Sequence, residues 1–266
     1  MQDCPQTWHY GLIARWWAEF NEPDPRELAF YRDMIEQNGE PGLDLGCGTG
    51  RLLIPLLESG LDVDGCDISP DMLAHCRDAA AVQGLTPTLF QLAMHELVLP
   101  RTYRTIYICD SFGLGGRREQ DAEALRRCYA QLTPGGKLVF SHYLPYDDLE
   151  RWLLWLPEER KRLPEQWAEE GGRKQAANGD EIGLRARVID LDPIEQRQTL
   201  EMRAQLWRDG RLEEQEDRVL QENLYFRNEL LLLLTNAGFA TISVRAGYSA
   251  EEATPDDTML VFVAQK

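Results

Sequence analysis

The sequence is short of long apolar runs, paired cysteines, clustered basic side chains and histidines at ligand spacing, and each shortage closes off a class of protein. Apolar stretches such as residues 230–234 fall far short of the roughly 20 residues needed to cross a bilayer. No charged-then-apolar leader follows Met1, so a cytoplasmic protein without a membrane partner is expected. The six cysteines, Cys4, Cys47, Cys66, Cys76, Cys109 and Cys128, include no C-x-x-C pair. A chain of 266 residues can bury a core without covalent staples, so free and mostly buried thiols are expected. His9, His75 and His95 have no metal-site spacing, and no metal is expected.

Basic residues number 28 against 45 acidic ones, a net charge of −17 with no basic stripe, which argues against a nucleic-acid partner. Residues 1–150 carry 23 acidic and 12 basic groups, a net of −11, so the excess is not an appended tail. Such a field serves solubility, and it also steers a small cationic or zwitterionic substrate.

What is present, 43% apolar and 27% charged, describes a globular chain of one large or two small domains. Residues 8–20 are aromatic-rich and helix-compatible, with Trp16 and Trp17 read as packing residues. A second helix is capped by Asp24, has Pro25 in its first turn and Glu27 at capping-box spacing, and stops before Gly39. The pattern then alternates: short apolar runs at 42–45, 61–66, 88–92, 105–109 and 137–143, with helices starting near Arg51, Pro70 and Glu119. That spacing predicts parallel strands with crossover helices, a doubly wound sheet to about residue 146.

Leu200, Met202, Ala204 and Leu206 alternate with polar residues as in a half-buried strand, and Asp209-Gly210 turns it into a hairpin ending near Asn223. A helix over 228–237 ends at Gly238, and strands at 241–246 and 259–264 close the chain. The expected architecture is an α/β Rossmann-like, seven-stranded, mostly parallel sheet with an antiparallel insert of three strands after the fifth strand. Three parts follow: an N-terminal helical lid (1–40), a core (41–146 and 224–266), and an insert (147–223) serving as substrate lid or homodimer interface through an exposed sheet edge.

The most informative segment is Leu43-Asp44-Leu45-Gly46-Cys47-Gly48-Thr49-Gly50, a strand entering a glycine turn and then a helix. Alternate glycines let the backbone turn sharply and approach a ligand, with helix N-terminal amides aimed at it. A dinucleotide fingerprint needs its third glycine one position later, and no Gly-Lys-Ser/Thr of a phosphate loop follows. Asp44 would repel a pyrophosphate and suits an amine. Asp67 ends the next strand 21 residues after Gly46, where a carboxylate accepts both hydroxyls of a ribose. A ligand with a ribose and an ammonium but no diphosphate is implied, and S-adenosylmethionine fits.

With these residues in hand, the segment from Leu43 to Leu73 resembles the first two motifs of class I S-adenosylmethionine-dependent methyltransferases. Leu132-Thr133-Pro134-Gly135-Gly136-Lys137-Leu138 resembles the turn into that family's fifth strand, and Leu234-Thr235-Asn236-Ala237-Gly238-Phe239 the approach to its sixth. The resemblance covers about residues 30–146 and 224–266. It implies that Asp44, Gly46, Cys47, Gly48 and Gly50 line the methionine part of the cofactor, that Asp67 holds the ribose, and that Ile68 and Met72 pack on adenine. The family's adenine-reading Asp aligns with Ala93, a departure, so the backbone of Ala93 and Met94 or the side chain of His95 or Gln91 takes that part. Asp110, Ser111 and Phe112 follow the fourth strand, beside the expected sulfonium.

Methyl transfer is an in-line displacement in which the enzyme chiefly aligns a nucleophile and excludes water. An amine has only to arrive neutral, whereas a hydroxyl needs a base. Three residues are candidates for catalysis: His142, read equally as a general base or a core histidine; Asp110; and Tyr10, matched to an N-terminal active-site tyrosine. Tyr143 and Tyr146 orient an amine in this reading. The layout resembles small-molecule members, including sugar amine and glycine N-methyltransferase-like enzymes. N-methylation of a small molecule, with S-adenosylhomocysteine as product, is the expectation. O-methylation of a small metabolite and a non-catalytic S-adenosylmethionine binder are the alternatives, and methylation of tRNA is disfavoured by the acidic balance.

Overall fold

A computed structural model describes residues 7–168 and 172–266, and Cys4 lies outside them. Helix α1 (Gly11–Phe20) is followed by α2 (Pro25–Asn38), whose N-terminus is capped by Asp24 accepting the Arg26 N–H at 2.7 Å. Glu27 does not close the capping box suggested by its spacing; its carboxylate turns inward to Arg51.

Strands β1 (Gly42–Leu45), β2 (Val63–Asp67), β3 (Leu89–Gln91), β4 (Tyr103–Ile108) and β5 (Leu132–Tyr143) run parallel. Helices α3 (Leu53–Glu58), α4 (Pro70–Val82) and α5 (Arg118–Gln131) provide three of the four crossovers, and a short 3-10 turn stands between β3 and β4. After β5 come the short helices α6 (Leu149–Leu153) and α7 (Pro157–Arg160). Strands β6 (Lys174–Gln175), β7 (Glu181–Asp192), β8 (Arg197–Arg208) and β9 (Arg211–Asn223) form a separate antiparallel sheet in that order. Helix α8 (Arg227–Ala237) stops at Gly238, which takes the left-handed conformation at φ +113°, and leads to β10 (Thr241–Ala246) and β11 (Met259–Gln265).

The main sheet has seven strands in the order β10-β11-β5-β4-β1-β2-β3, with β11 alone running against the other six. The expected Rossmann-like sheet and its antiparallel insert are therefore present. One detail differs: the insert has four strands, because the two-residue β6 is too short to show a period in sequence. Its hairpin turns at Asp209 and Gly210, both at positive φ (51° and 73°), as a two-residue hairpin turn requires.

Alternation along the strands divides the core. Leu43, Leu45, Ile106, Ile108, Leu138 and Phe140 pack with α5 and α8 on one face. Tyr107 and Val139 pack with Tyr31, Met34 and Ile35 of α2 and Leu53 and Leu56 of α3 on the other. Helix α2 thus belongs to the core layer. Helix α1 packs on the insert, burying Leu12 and Ile13 against Ile182, Met202, Ala204 and Leu206, while its Gly11 N–H donates to Asp71 Oδ2 at 2.7 Å. Among the described residues no helix is long and apolar enough to cross a membrane, and Cys47, Cys66, Cys76, Cys109 and Cys128 are free, all but Cys109 fully buried.

Candidate active site

The chain runs outward from β1 to β2 and β3, then returns to place β4 on β1's other side. In open α/β sheets this reversal leaves a crevice beyond the strand ends, and a cavity of about 480 Å³ occupies it. Its floor is the glycine turn. Gly46 and Cys47 both donate their N–H to the Cys66 carbonyl, at 2.7 and 3.0 Å. Gly46 sits at φ +90°, and a Cβ there would collide with Ser111 Oγ. Gly48 donates its N–H to Asp67 Oδ2 at 2.9 Å, and Ser69 donates to Oδ1 at 2.8 Å, so Asp67 is fixed at the end of β2.

Asp44, Gly46, Cys47, Gly48, Asp67, Ile68, Met72, Ala93, Met94 and Asp110 all line this cavity. Burial pushes the Asp44 carboxyl up to about 7, with the Tyr107 hydroxyl and Arg51 acting the other way. Burial also raises Asp67, against the N–H donors of Ser69 and Gly48. Gly50 shapes the turn without lining the cavity: at φ +87°, a Cβ would stand 2.7 Å from Cys76 Sγ.

At the end of β4, Asp110 adopts φ +52°, a left-handed conformation uncommon outside glycine. Ser141 on β5 holds it there, accepting the Asp110 N–H at 3.0 Å and donating its hydroxyl to Oδ1 at 2.5 Å. Burial raises the Asp110 carboxyl. Beside it Glu27, only 3% exposed, receives both ends of the Arg51 guanidinium, the Cys109 thiol at 2.8 Å and the Tyr248 hydroxyl at 3.1 Å. Glu27, Cys109 and Asp110 bring ligand-type atoms within 4.8 Å of one another. The guanidinium occupies that Glu27 carboxylate and touches Cys109 Sγ at 3.4 Å, so the cluster is built around an organic cation.

Other candidates from the sequence lie elsewhere, among them Phe112, buried against Phe140 and Tyr225, and Tyr146, beside Phe226. His142 does not line the cavity, a correction that strand alternation explains: Ser141 and Tyr143 face the site, so His142 points to the opposite face, where its Nε2 lies 3.2 Å from the Tyr225 carbonyl. Burial lowers it to about 4, and it is a neutral core histidine. Tyr10 is likewise displaced, its ring under the Arg218 guanidinium at 5.9 Å. The N-terminal segment is represented in the cavity by Thr7, His9 and Trp17 instead. Of the substitutes for the missing adenine-reading acid, Gln91 is outside, whereas Ala93, Met94 and His95 line the wall, with His95 Nε2 at 3.1 Å from Gln120 Nε2.

Several lining residues escaped sequence reasoning: Glu27, Arg51, Asp121 and Tyr248. Asp121 accepts from Asn223 at 2.7 Å and Tyr225 at 2.8 Å, and burial pushes it up to about 6. Arg51 follows the glycine motif immediately and was open to discovery, but Glu27 meets it across 24 positions with no local signal.

Two lining atoms, Ser111 Oγ and Trp17 Nε1, are buried without a hydrogen-bond partner among the described residues. Together with the open cradle at Gly46 and the carboxylates Asp44 and Asp67, they fit a polar ligand with a diol and a cationic group and repel a diphosphate.

Residues 43–136 match the family profile described as a methyltransferase domain. The matched stretch is similar to a methyltransferase domain. It contains the glycine turn, Asp67, Asp110 and Asp121, the groups that shape the cavity. Over almost its whole length the chain is 25% identical to a Geobacillus sp. (strain WCH70) protein provisionally named a methyltransferase, covering 97% of this chain and 99% of that one. An S-adenosylmethionine-dependent methyltransferase from Clostridium acetobutylicum shares the fold at TM-score 0.71 and 17% identity, covering 95% of this chain and 97% of that one. The sugar N-methyltransferase KedS8 from Streptoalloteichus sp. shares it at TM-score 0.65 and 19% identity, with both chains covered in full. Residues 43–136 and the strands flanking them thus share the Rossmann-like fold of these methyltransferases.

Proposed function

We propose that this chain transfers a methyl group from S-adenosylmethionine to the nitrogen of a small-molecule amine. One observation carries the choice of acceptor: among the described residues the cavity is lined by seven carboxylates and a single guanidinium, and that guanidinium is already paired to Glu27. An anionic acceptor is repelled by this lining, and an amine is drawn in. When bound, S-adenosylmethionine supplies an electrophilic methyl group on a sulfonium centre. Asp44 takes the donor's ammonium, Asp67 its ribose hydroxyls, and Ile68 and Met72 the adenine faces. Asp110, fixed by Ser141, accepts a hydrogen bond from the acceptor's N–H at its carboxylate and takes the proton that the nitrogen sheds. Its raised affinity for protons suits that exchange. His9 lines the cavity but is not a free base, since Nδ1 meets Thr7 Oγ1 at 2.5 Å, Nε2 accepts from Trp8 Nε1 at 3.2 Å, and burial lowers it to about 4.

Calorimetry with S-adenosylmethionine is the direct test. Wild type is expected to bind it and Asp67→Ala to bind at least about tenfold more weakly, the cost of one charge-assisted contact of about 1.4 kcal/mol or more. Equal affinities would overturn the cofactor assignment. Screening neutral amines for S-adenosylhomocysteine release then tests the transfer, and a chain that binds the donor but turns over no amine would overturn the reaction proposed.

Cofactor affinity is also expected to depend on pH. Asp44 must be ionised to meet an ammonium, and its carboxyl stands at about 7 in the ligand-free protein. Affinity should therefore fall roughly tenfold between pH 8 and pH 6. The sign is fixed by the direction of the shift: an acid raised on folding favours the ligand-free fold at low pH and loses that contribution as pH rises towards 7, so the ligand stabilises most on the alkaline side. Titrations of Asp44→Asn should be flat over this range.

A further inference from the structure

Segment 113–116, a part of the cavity wall just beyond Asp110, reads Gly-Leu-Gly-Gly and has a single side chain with which to hold its own shape. The last residues of β9 hold it instead. Gly113 accepts the Asn223 N–H at 2.9 Å, Gly115 donates its N–H to the Gln221 carbonyl at 2.7 Å, and Leu114 forms an antiparallel bridge with Glu222. Strand β9 is the edge of the insert sheet, and here its free backbone groups are taken up by the cavity wall. A Cβ at Gly113 would stand 2.9 Å from the Asn223 carbonyl, so the approach requires glycine.

The Asn223 side chain completes this clamp. It is 2% exposed, and its Nδ2 donates to the Gly116 carbonyl at 3.0 Å and to Asp121 Oδ2 at 2.7 Å. Tyr225 donates to the same oxygen, and Asp121 lines the cavity from the first turn of α5. Nearer its start, β9 holds a second part of the wall: Glu216 accepts the Leu12 N–H at 3.1 Å in α1, the helix that carries Trp17 of the cavity.

We infer that Asn223 is a positioning residue for the donor cavity: its carboxamide locks segment 113–116 and Asp121 onto β9, so that the insert sets the shape of the wall against which the donor is seated. The inference rests on the donor assignment made above and adds a role for the insert on the donor side. An amide suits this joint because its two N–H donors meet a carbonyl and a carboxylate at once without bringing a second charge into a buried place. Without them the Gly116 carbonyl and the Asp121 carboxylate each lose a partner, and the glycine-rich wall has little else to keep it in place.

The test follows S-adenosylhomocysteine binding by calorimetry, and hydrogen exchange at the 113–116 amides in the ligand-free protein. Asn223→Ala should bind at least about tenfold more weakly, the cost of a lost hydrogen bond to a charged group. Its Gly115 N–H should exchange at least about tenfold faster. Val263→Ala, a core truncation on β11 away from β9 and the cavity, should lower the melting temperature and leave both readings at their wild-type values. Asn223→Asp keeps the side chain's shape, sets two carboxylates face to face and should lose as much as Asn223→Ala. Adding Asp121→Asn to it restores a donor and an acceptor with their places exchanged, and should recover part of both losses. This pair decides the matter even if Asn223→Ala fails to fold. Wild-type affinity and exchange in Asn223→Ala, or no recovery in the exchanged pair, would overturn the positioning role. Failure of wild type to bind S-adenosylhomocysteine would overturn the donor assignment instead, and the exchange rates, read without ligand, still decide whether Asn223 holds the wall.

Discussion

Replacing Gly46 with alanine is expected to reduce S-adenosylmethionine affinity roughly 100-fold, about 2.7 kcal/mol, and to leave the protein folded. Two effects combine at this position. A φ of +90° is strained for any residue with a side chain, at a cost of roughly 1–3 kcal/mol to the folded state. The added methyl group also enters the cradle against Ser111 Oγ, with Met94 Cε only 3.1 Å away, so the floor of the cavity must rearrange before a ligand can seat. Gly60 separates the two effects. It has nearly the same φ, +89°, nothing lies within 4 Å of a Cβ built there, and it does not line the cavity. Gly60→Ala should lose comparable stability on thermal melting and bind the cofactor as wild type does. If Gly46→Ala also binds normally, the glycine turn is not the cofactor cradle.

The contrast between these two glycines also shows why the fold was legible in the sequence and the site only partly so. The strand-helix alternation, the Asp24 cap, the Asp209-Gly210 turn and the Gly238 stop are local signals, set by residues within a few positions of one another, and each appears in the structure where its pattern placed it. The glycine turn and Asp67 are nearly as local, since β1 and β2 are adjacent strands whose ends must meet. Glu27 shows the limit. Its spacing from Asp24 marked it as a capping residue, and nothing nearby signalled that it would face Arg51, Cys109 and Tyr248, which are 24, 82 and 221 positions away.

His142 is a different kind of miss. The period of two along β5 was available, and once Ser141 is placed towards Asp110, His142 must face away. The net charge of −17, of which residues 1–150 carry −11, likewise had no location in space. The structure gathers seven carboxylates at one cavity, which turns a general acidity into a local field.

The buried pair at the cavity floor supports the largest stability effect. Arg51→Met is expected to destabilise the fold by about 3 kcal/mol, the low end of the roughly 3–5 kcal/mol for breaking a buried ion pair, because the Arg51 side chain keeps 18% of its surface in water. The variant leaves a carboxylate that is only 4% exposed facing two neutral donors, Cys109 and Tyr248, with no cation to offset its lost hydration. At roughly 2–4 °C per kcal/mol for a chain of this size, the melting temperature should drop by about 6–12 °C. Adding Glu27→Gln to Arg51→Met should recover most of the loss at pH 8, since the amide needs no counter-charge. A simple packing role for the arginine stem predicts the opposite: no recovery in the double variant. Because the same Glu27 ties α2 to the end of β4 and to Tyr248 beyond β10, the melting experiment also reports on how firmly the floor beneath Asp110 is held.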